Sequence, residues 1–322
     1  MLPSATLASR QPALFACARR DDEDWLLAFS SNDTLCWQSP LSGRGHGITL
    51  NDASILVISR RPGAWALILD RVTGVLQKVL RPPEGLVYTG HACVGDGCWF
   101  VGCQTRQGSV GRILKIDRSG SLMKTISSGG IEPHELVVGG KSLFVANGGR
   151  VTDPDLPEVI LNSDSIYSTL TKIDVSNGVL VDRIFLPKNL SCRHLAVSAS
   201  GLVGACQWQG VPVESPPLLW VLDGSTLSPL PGPAGSSTVA VRGYLGSVVW
   251  WNDKIVASAP RGDQYWVVDP RSGIGVVINE PDVCGLAAYA DQLRFSSGRG
   301  VIGSPGDKKT MDWVFDNHMT SA

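Results

Sequence analysis

The hydrophobic residues of this chain fall in short runs of four to eight positions, separated by turn residues. Val, Ile, Leu, Trp and Phe dominate the runs, and Gly, Pro, Asp, Asn or Ser bound them. Runs of this length and composition are typical of β-strands. No stretch shows the 3.6-residue spacing of an amphipathic helix for more than about two turns. The pattern predicts an all-β protein.

Residues 46–90 contain one complete copy of a repeating unit. Strands are predicted over residues 46–50, 55–59, 64–70 and 75–80, and short turns such as Asn51-Asp52-Ala53 and Arg60-Arg61-Pro62-Gly63 join them. Tight turns of this kind connect antiparallel neighbours. The unit is therefore a four-stranded antiparallel sheet.

The same unit recurs along the chain. First strands begin near residues 46, 91, 134, 194, 246 and 285, at intervals of 39 to 60 residues. The third strand ends in an Asp that a Gly soon follows, as expected where Asp accepts hydrogen bonds from its own turn and Gly adopts a positive φ. These pairs are Asp70 and Gly74, Asp117 and Gly120, Asp174 and Gly178, Asp223 and Gly224, and Asp269 and Gly273. A four-stranded unit at this period, of the WD40-like or YVTN-like kind, is a β-propeller blade.

The two ends of the chain complete one further blade. Residues 13–20, 25–29 and 34–38 resemble the second, third and fourth strands of the unit, and no first strand precedes them. We expect residues 311–315 to supply it, because such a clasp removes exposed sheet edges. The prediction is one domain over residues 1–322, a seven-bladed propeller with a loosely ordered tail at residues 1–12. If residues 311–315 instead complete the blade that starts at Gly285, the count is six.

Composition and charge narrow the functional classes. Hydrophobic residues make up 43% of the chain, the net charge is −1 and the pI is about 6.5. A chain with almost no net charge lacks the excess of Lys and Arg that is typical of nucleic-acid-binding proteins. No apolar run approaches the roughly 18 residues of a membrane span. The N-terminus shows no signal-peptide pattern, so either the protein is cytoplasmic or its leader is absent from this chain. We expect a monomer.

The eight Cys show no CxxC pair, which argues against a zinc knuckle or a dithiol redox site. Most lie inside apolar runs, so we expect small, buried core residues. One or two disulfides are the alternative in an oxidising compartment.

Four of the five His stand at one position of the repeat, the start of the first strand. They are His46, His91, His134 and His194. First strands line the central channel of a propeller, so the sequence predicts these four side chains at one mouth of the channel, on adjacent blades.

The turns between second and third strands open at the same end and are rich in Arg and amide side chains. The candidate ligand-binding residues from these turns and from the His motifs are His46, Arg60, Arg61, His91, Arg106, His134, Glu135, Asn147, Arg193, His194, Gln207 and Arg261. The long segment 148–164 rises from this face, and we expect it to form a surface flap, since long loops are often functional.

Several interpretations of this mouth stay open. Arg and His bind carboxylate or phosphate groups, which favours a small polar or anionic ligand. Neutral His nitrogens, with Glu135, are also able to hold a transition metal, although nearby Arg disfavours a cation, and no cofactor is assigned. A structural role is the third interpretation, in which each His bonds a neighbouring backbone carbonyl.

Catalytic motifs are absent from the sequence. His134-Glu135 lacks the second His of a metalloprotease, and no GxSxG elbow or P-loop occurs. A non-enzymatic binding or scaffolding protein is therefore favoured. The alternatives are a hydrolase or lyase that uses the channel-mouth His and Glu135, and a pure protein-interaction platform.

Several motifs together resemble the bacterial family called domain of unknown function 1513, over about residues 14–319. They are Gly43-Arg44-Gly45-His46-Gly47, Arg60-Arg61-Pro62-Gly63, Gly129-Gly130-Ile131-Glu132-Pro133-His134-Glu135-Leu136, Val145-Ala146-Asn147-Gly148-Gly149, Arg193-His194-Leu195-Ala196-Val197, Ala259-Pro260-Arg261-Gly262 and Asp316-Asn317-His318-Met319. The resemblance implies a β-propeller, a periplasmic location and a periplasmic protein partner. It also implies a link to iron uptake, through neighbouring genes for imelysin-like proteins. It implies no activity, and Asp153 stands where the family pattern has a His.

Overall fold

The computed structural model describes residues 11–322 as strands joined by turns, with a single 3₁₀ turn at Pro260–Gly262. In chain order the strands are β1 (Leu14–Arg20), β2 (Glu23–Phe29), β3 (Leu35–Pro40), β4 (Gly45–Leu50), β5 (Ser54–Ser59), β6 (Ala66–Asp70), β7 (Leu76–Leu80), β8 (Leu86–Gly95), β9 (Cys98–Thr105), β10 (Val110–Ile116), β11 (Leu122–Ile131), β12 (Pro133–Gly139), β13 (Ser142–Asn147), β14 (Thr169–Asp174), β15 (Leu180–Phe185), β16 (Leu190–Ser198), β17 (Gly201–Trp208), β18 (Leu219–Asp223), β19 (Thr226–Leu230), β20 (Ser247–Trp251), β21 (Lys254–Ala259), β22 (Gln264–Val268), β23 (Gly275–Asn279), β24 (Val283–Tyr289), β25 (Gln292–Ser297), β26 (Val301–Ser304), β27 (Asp307–Thr310) and β28 (Val314–Ser321).

These strands form seven four-stranded antiparallel sheets, which are the blades of a propeller. Blades 1 to 6 are β4–β7, β8–β11, β12–β15, β16–β19, β20–β23 and β24–β27. Blade 7 has the order β28-β1-β2-β3 and so contains both ends of the described chain. The first strand of each blade contacts the first strand of the next, and β28 contacts β4 to close the ring. The predicted seven blades are confirmed.

The six-bladed alternative is wrong because β24 to β27 already complete blade 6. The closing strand is also longer and later than predicted. It starts at Val314 and ends at Ser321, whereas residues 311–315 were expected. The N–H of Met311 donates a hydrogen bond to the carbonyl of Gly300, which ties residue 311 to blade 6. The predicted tail at residues 1–12 lies, except for residues 11 and 12, outside the described residues.

The core lies between the blades. The middle strands are buried on both faces, as in β5, whereas outer strands such as β7 are mostly exposed. Between blades 1 and 2, for example, Ile58 and Ile68 pack in one cluster with Trp99 and Leu114. Burying such a side chain fully contributes about 1.5–3 kcal/mol. Seven Cys are buried thiols within these layers, namely Cys17, Cys93, Cys98, Cys103, Cys192, Cys206 and Cys284.

The turn chemistry explains the recurring Asp. The Asp70 carboxylate accepts hydrogen bonds from the backbone N–H groups of Val72 and Thr73, and Gly74 has a φ of 71°. Asp117, Asp174 and Asp269 accept equivalent bonds. These Asp residues are therefore structural, as the sequence predicted.

The longest connection within blade 3 is the segment between β13 and β14, residues 148–168. A bridge between Thr152 and Ile160 gives it internal structure. The Asn162 side chain donates to the carbonyl of Gly149 and accepts from the N–H of Val151, so it holds the base of the segment together. The segment is an ordered loop with its own hydrogen bonds.

Candidate functional site: a histidine cluster beneath an arginine-lined pocket

Irregularities in the inner strands position the His side chains. The pairing register shifts between Gly45 and Ile48 in β4, between Tyr88 and Ala92 in β8, and between Pro133 and Leu136 in β12. His46, His91 and His134 each lie within such a bulge. A bulge bends the strand and re-aims the side chain that it contains. In this ring the bulged His side chains meet one another at the channel.

The other two His lie at equivalent places. In β16 the shift falls between Cys192 and His194, and in β28 it spans the residues between Phe315 and Met319, which include His318. The five His therefore come from the inner strands of five consecutive blades, in the order 7, 1, 2, 3 and 4.

The five imidazole rings form one buried cluster. The ring centroids of His46, His91 and His318 are 4.5 to 4.8 Å apart, and the pairs are near-perpendicular. His134 lies 4.6 Å from His91, and His194 lies 5.0 Å from both His134 and His318. Each residue is at most 8% exposed. Burial is the largest cause that lowers the pKa of each ring, and at His46 it outweighs the opposing effect of Asp316, so the five rings are neutral at pH 7.

Two of the rings are oriented by carboxylates. His46 Nδ1 lies 3.2 Å from Asp316 Oδ1, and His194 Nδ1 lies 3.1 Å from Glu135 Oε2. The Asp316 carboxylate is ionised and only accepts hydrogen bonds, so Nδ1 of neutral His46 carries the proton. The Nε2 atom of His46 is therefore left with a lone pair.

The remaining three rings differ from these two. Arg193 Nη2 donates to His134 Nδ1 at 2.9 Å, so the proton of neutral His134 sits on Nε2. The Nε2 atoms of His91 and His318 are buried without a hydrogen-bond partner in the described residues. His91 Nδ1 lies 3.7 Å from Glu135 Oε1. None of these partners is a backbone carbonyl. The interpretation in which each His has a structural role predicts a hydrogen bond to a backbone carbonyl of a neighbouring strand.

The pKa values of the two carboxyl groups beside the imidazoles, Asp316 and Glu135, are shifted in opposite directions. Burial alone raises the pKa of Asp316, but His46 and the Arg44 guanidinium outweigh it and hold that pKa well below its usual range. Burial raises the pKa of Glu135 to about 7, because no Lys or Arg pairs with it in the described residues.

A third buried carboxylate organises the Arg side chains. Glu132 is fully buried and forms ion pairs with Arg61, with Arg150 at 2.8 Å and with Arg193 at 2.8 Å. These three Arg come from blades 1, 3 and 4, so one carboxylate joins three blades. Burial raises the pKa of Glu132, but the three guanidinium groups outweigh it and keep the carboxyl ionised far into acid.

A polar cavity of about 150 Å³ opens above the His cluster. Its lining residues are His46, Arg60, Arg61, His134, Arg150, Arg193, His194, Gln207, Tyr244, Arg261 and Asn317. The guanidinium of Arg261 lies over the Tyr244 ring, 4.2 Å from its centroid. Asn317 donates to the Tyr244 hydroxyl at 3.1 Å. In the described residues Arg60 and Arg261 form no ion pair, and both side chains face solvent at the cavity.

Most of the sequence-predicted residues meet at this site. Eight of the twelve line the cavity, and His91 and Glu135 lie beneath it, in contact with the other His. The structure does not bring Arg106 and Asn147 there. Arg106 is exposed and pairs with Asp155 at 3.0 Å, on the surface of the long loop. Asn147 is fully buried and bonds Ser128 and Thr171, so it joins strands of neighbouring blades.

Sequence reasoning missed several residues of the site. They are Glu132, Arg150, Tyr244, Asp316, Asn317 and His318. His318 would have been found if the closing strand had been extended to residue 321, because it then occupies the bulge position of the other His. Glu132 directly precedes the Pro133-His134 motif, but no local pattern reveals its three Arg partners.

The architecture and the cluster define a seven-bladed β-propeller with a His- and Arg-rich channel mouth. Residues 39–322 match the model of the family described as "Protein of unknown function (DUF1513)", and the chain belongs to that family. No curated protein matches the chain.

Solved structures of other propellers share the fold. BamB from Moraxella catarrhalis matches with 13% identity and a TM-score of 0.54, over 95% of this chain and 97% of its own. Kuenenia stuttgartiensis hydrazine synthase matches with 10% identity and a TM-score of 0.63, over 92% and 96%. The WD40 propeller domain of Doa1 matches with 13% identity and a TM-score of 0.60, over 89% and 90%. At these identities the likeness shows the fold alone. Across residues 11–322 no helix has the length and apolarity that a membrane crossing requires.

Proposed function

We propose that this protein is a non-enzymatic binding propeller that takes a small anionic ligand, bearing carboxylate or phosphate groups, at the channel mouth. The surplus of positive charge carries the proposal. Five guanidinium groups line the cavity, and Glu132 is the one carboxylate that pairs with any of them in the described residues. An anion between these groups would receive charge-assisted hydrogen bonds in a partly desolvated site.

The cavity contains two kinds of Arg side chain: three that are held by an ion pair with Glu132, and two that form no ion pair in the described residues. Glu132 holds Arg61, Arg150 and Arg193 in place from below, which reduces the entropy lost when they bind a ligand. Arg60 and Arg261 have no carboxylate to satisfy them, so they are the donors that an anion gains most directly.

Binding is favoured over hydrolase or lyase chemistry by the position of Glu135. Its carboxylate accepts hydrogen bonds from His194 and from the backbone N–H of Leu195, and it does not line the cavity. A general acid or base must reach the ligand directly or through one water. Glu135 therefore orients a His and supports the cluster.

Isothermal titration calorimetry with citrate and with inorganic phosphate tests the proposal. Arg60→Gln and Arg261→Gln should each weaken binding about 10- to 100-fold, since a hydrogen bond to a charged group contributes about 1.5–3 kcal/mol. Arg106→Gln is the matched control, because Arg106 pairs with Asp155 outside the cavity. Equal affinities for Arg60→Gln and Arg106→Gln, or no binding of either probe by the wild type, would refute an anion site.

A periplasmic location, and a place in iron uptake, are part of this proposal and rest on the family resemblance. Fractionation of cells that express the full-length gene product tests the compartment. Recovery with cytoplasmic markers would contradict it.

A second candidate function is docking of a periplasmic protein partner on the same face. Two loops of neighbouring blades, residues 148–168 and 209–218, expose apolar side chains there, namely Leu156, Val159, Leu161, Val211 and Val213. Val213 is 80% exposed. Partner capture that is lost in Val213→Ser but retained in Arg60→Gln would favour docking over anion binding.

A further inference from the structure

We propose that His46, His91 and His318 bind a divalent first-row transition metal ion beneath the Arg-lined pocket. One ligand atom from each of these residues lies within 4.8 Å of the other two. The three side chains come from blades 1, 2 and 7, so the site exists only after the ring has closed.

The first support comes from the donor atoms. The Nε2 atoms of His91 and His318 are buried without a hydrogen-bond partner in the described residues, which is costly for polar atoms. His46 presents its Nε2 lone pair because Asp316 binds the proton on Nδ1. A metal ion would accept the Nε2 lone pair of His46 and, with the proton of His91 and of His318 on Nδ1, would also satisfy the two unpartnered buried Nε2 atoms.

The second support comes from the carboxylates behind the rings. A metal-binding His commonly donates its other N–H to a carboxylate, which fixes the ring and raises its basicity. Asp316 stands in this position behind His46. Glu135 lies 3.7 Å from His91 Nδ1 and has no Lys or Arg partner in the described residues. A cation in the cluster would supply the positive charge that this partly buried carboxylate lacks.

The positive side chains near the cluster select this triad over its neighbour. His91, His134 and His194 also place ligand atoms within 4.8 Å of one another. There, however, Arg193 donates to His134 Nδ1 and leaves the proton on Nε2, so His134 has no lone pair to offer. Arg44, whose charge acts on both His46 and His318, is paired with Asp316.

Three imidazoles without thiolate suit Zn²⁺, Cu²⁺, Ni²⁺ or Fe²⁺ rather than Mg²⁺ or Ca²⁺. Metal–nitrogen bonds of about 2.0–2.1 Å require the donors to move inward from their present spacing. His46 lines both the cluster and the cavity, so an ion has a route of entry from the channel mouth.

Equilibrium dialysis of the chelator-treated protein against Zn²⁺ and Co²⁺, in buffer free of phosphate and carboxylate, tests the proposal. The wild type should retain about one ion per chain, and Co²⁺ should give visible absorption typical of nitrogen ligation. His318→Gln and His46→Gln should each lower the affinity at least 100-fold. His134→Gln is the matched control, equally buried in the same cluster, and should keep the wild-type stoichiometry.

Circular dichroism spectra matching the wild type establish that the variants are folded. Should one of the two ligand variants not fold, the other, with the wild-type Co²⁺ spectrum, decides the question. Absence of stoichiometric metal in the wild type, or equal losses in His134→Gln and His318→Gln, would overturn the proposal. The metal site does not depend on the anion site. Arg60→Gln should weaken citrate binding and retain Zn²⁺ binding, whereas His318→Gln should weaken Zn²⁺ binding and retain citrate binding.

Discussion

His46 and Asp316 are 270 residues apart in sequence, yet His46 Nδ1 lies 3.2 Å from Asp316 Oδ1 in the buried channel. The contact joins the inner strand of blade 1 to the closing strand of blade 7. The same carboxylate also pairs with Arg44, at the start of blade 1. The Asp316 side chain therefore links blade 7 to blade 1 and also orients the imidazole of His46.

Replacing Asp316 with Asn should lower the free energy of unfolding by about 1–3 kcal/mol. The substitution removes the carboxylate that accepts from the buried His46 Nδ1 and pairs with Arg44, and most of the cost comes from His46, because the Arg44 side chain is 44% exposed and water screens its charge. Urea denaturation followed by circular dichroism measures the effect. Asp21→Asn is the control, because its side chain is 90% exposed and should change stability by less than about 0.5 kcal/mol. Similar midpoints for the two variants would contradict a structural role for the contact.

The sequence sufficed to predict the blades because local chemistry determines them. In four blades an Asp at or just after the end of the third strand binds its own turn, as Asp70 and Asp174 do, and runs of buried residues mark the strands. The His positions were predictable for the same reason, since they repeat with the strands. The position of the fifth His, His318, is not predicted from the repeat, because the predicted closing strand covers residues 311–315 and ends three positions before it.

The electrostatics of the site could not be predicted. Glu132 becomes important only when Arg61, Arg150 and Arg193 reach it from three blades, and this depends on the closed ring. The same limit applies to Asn147. Its type suggested a channel-mouth donor, whereas its backbone position turns the side chain into the layer between blades 2 and 3.

Stability in acid should depend on Glu132. Its folded-state pKa is depressed, so the stabilisation is fully present above the unfolded-state value of about 4.3 and is lost as the pH falls below it. At pH 7, Glu132→Gln should cost about 3–5 kcal/mol, because three buried guanidinium groups lose their anion. Below about pH 4 the difference between wild type and variant should shrink by up to about 1.4 kcal/mol per pH unit.

Urea denaturation of wild type and Glu132→Gln at pH 7, 5, 4 and 3 measures this difference. Glu84→Gln serves as the control, since Glu84 is exposed and forms no ion pair in the described chain. If the gap between wild type and Glu132→Gln stayed constant down to pH 3, the carboxylate would not be the source of the stability.

The inner strands β4 and β8 approach so closely at Gly47, next to His46, that we expect no larger residue to be tolerated there. A Cβ at residue 47 would lie 2.2 Å from the carbonyl oxygen of Gly90 and 3.1 Å from His91 Cα, so backbone rather than a flexible side chain opposes it. Gly47→Ala should therefore cost at least about 2 kcal/mol, through separation of β4 from β8. Gly140→Ala is the control, with open space around its Cβ and a φ of +59°, and should cost only about 1 kcal/mol from backbone strain. Thermal and urea denaturation compare the two. A Gly47→Ala variant as stable as Gly140→Ala would mean that the inner strands separate easily, and that the spacing of the His cluster is not fixed by the backbone.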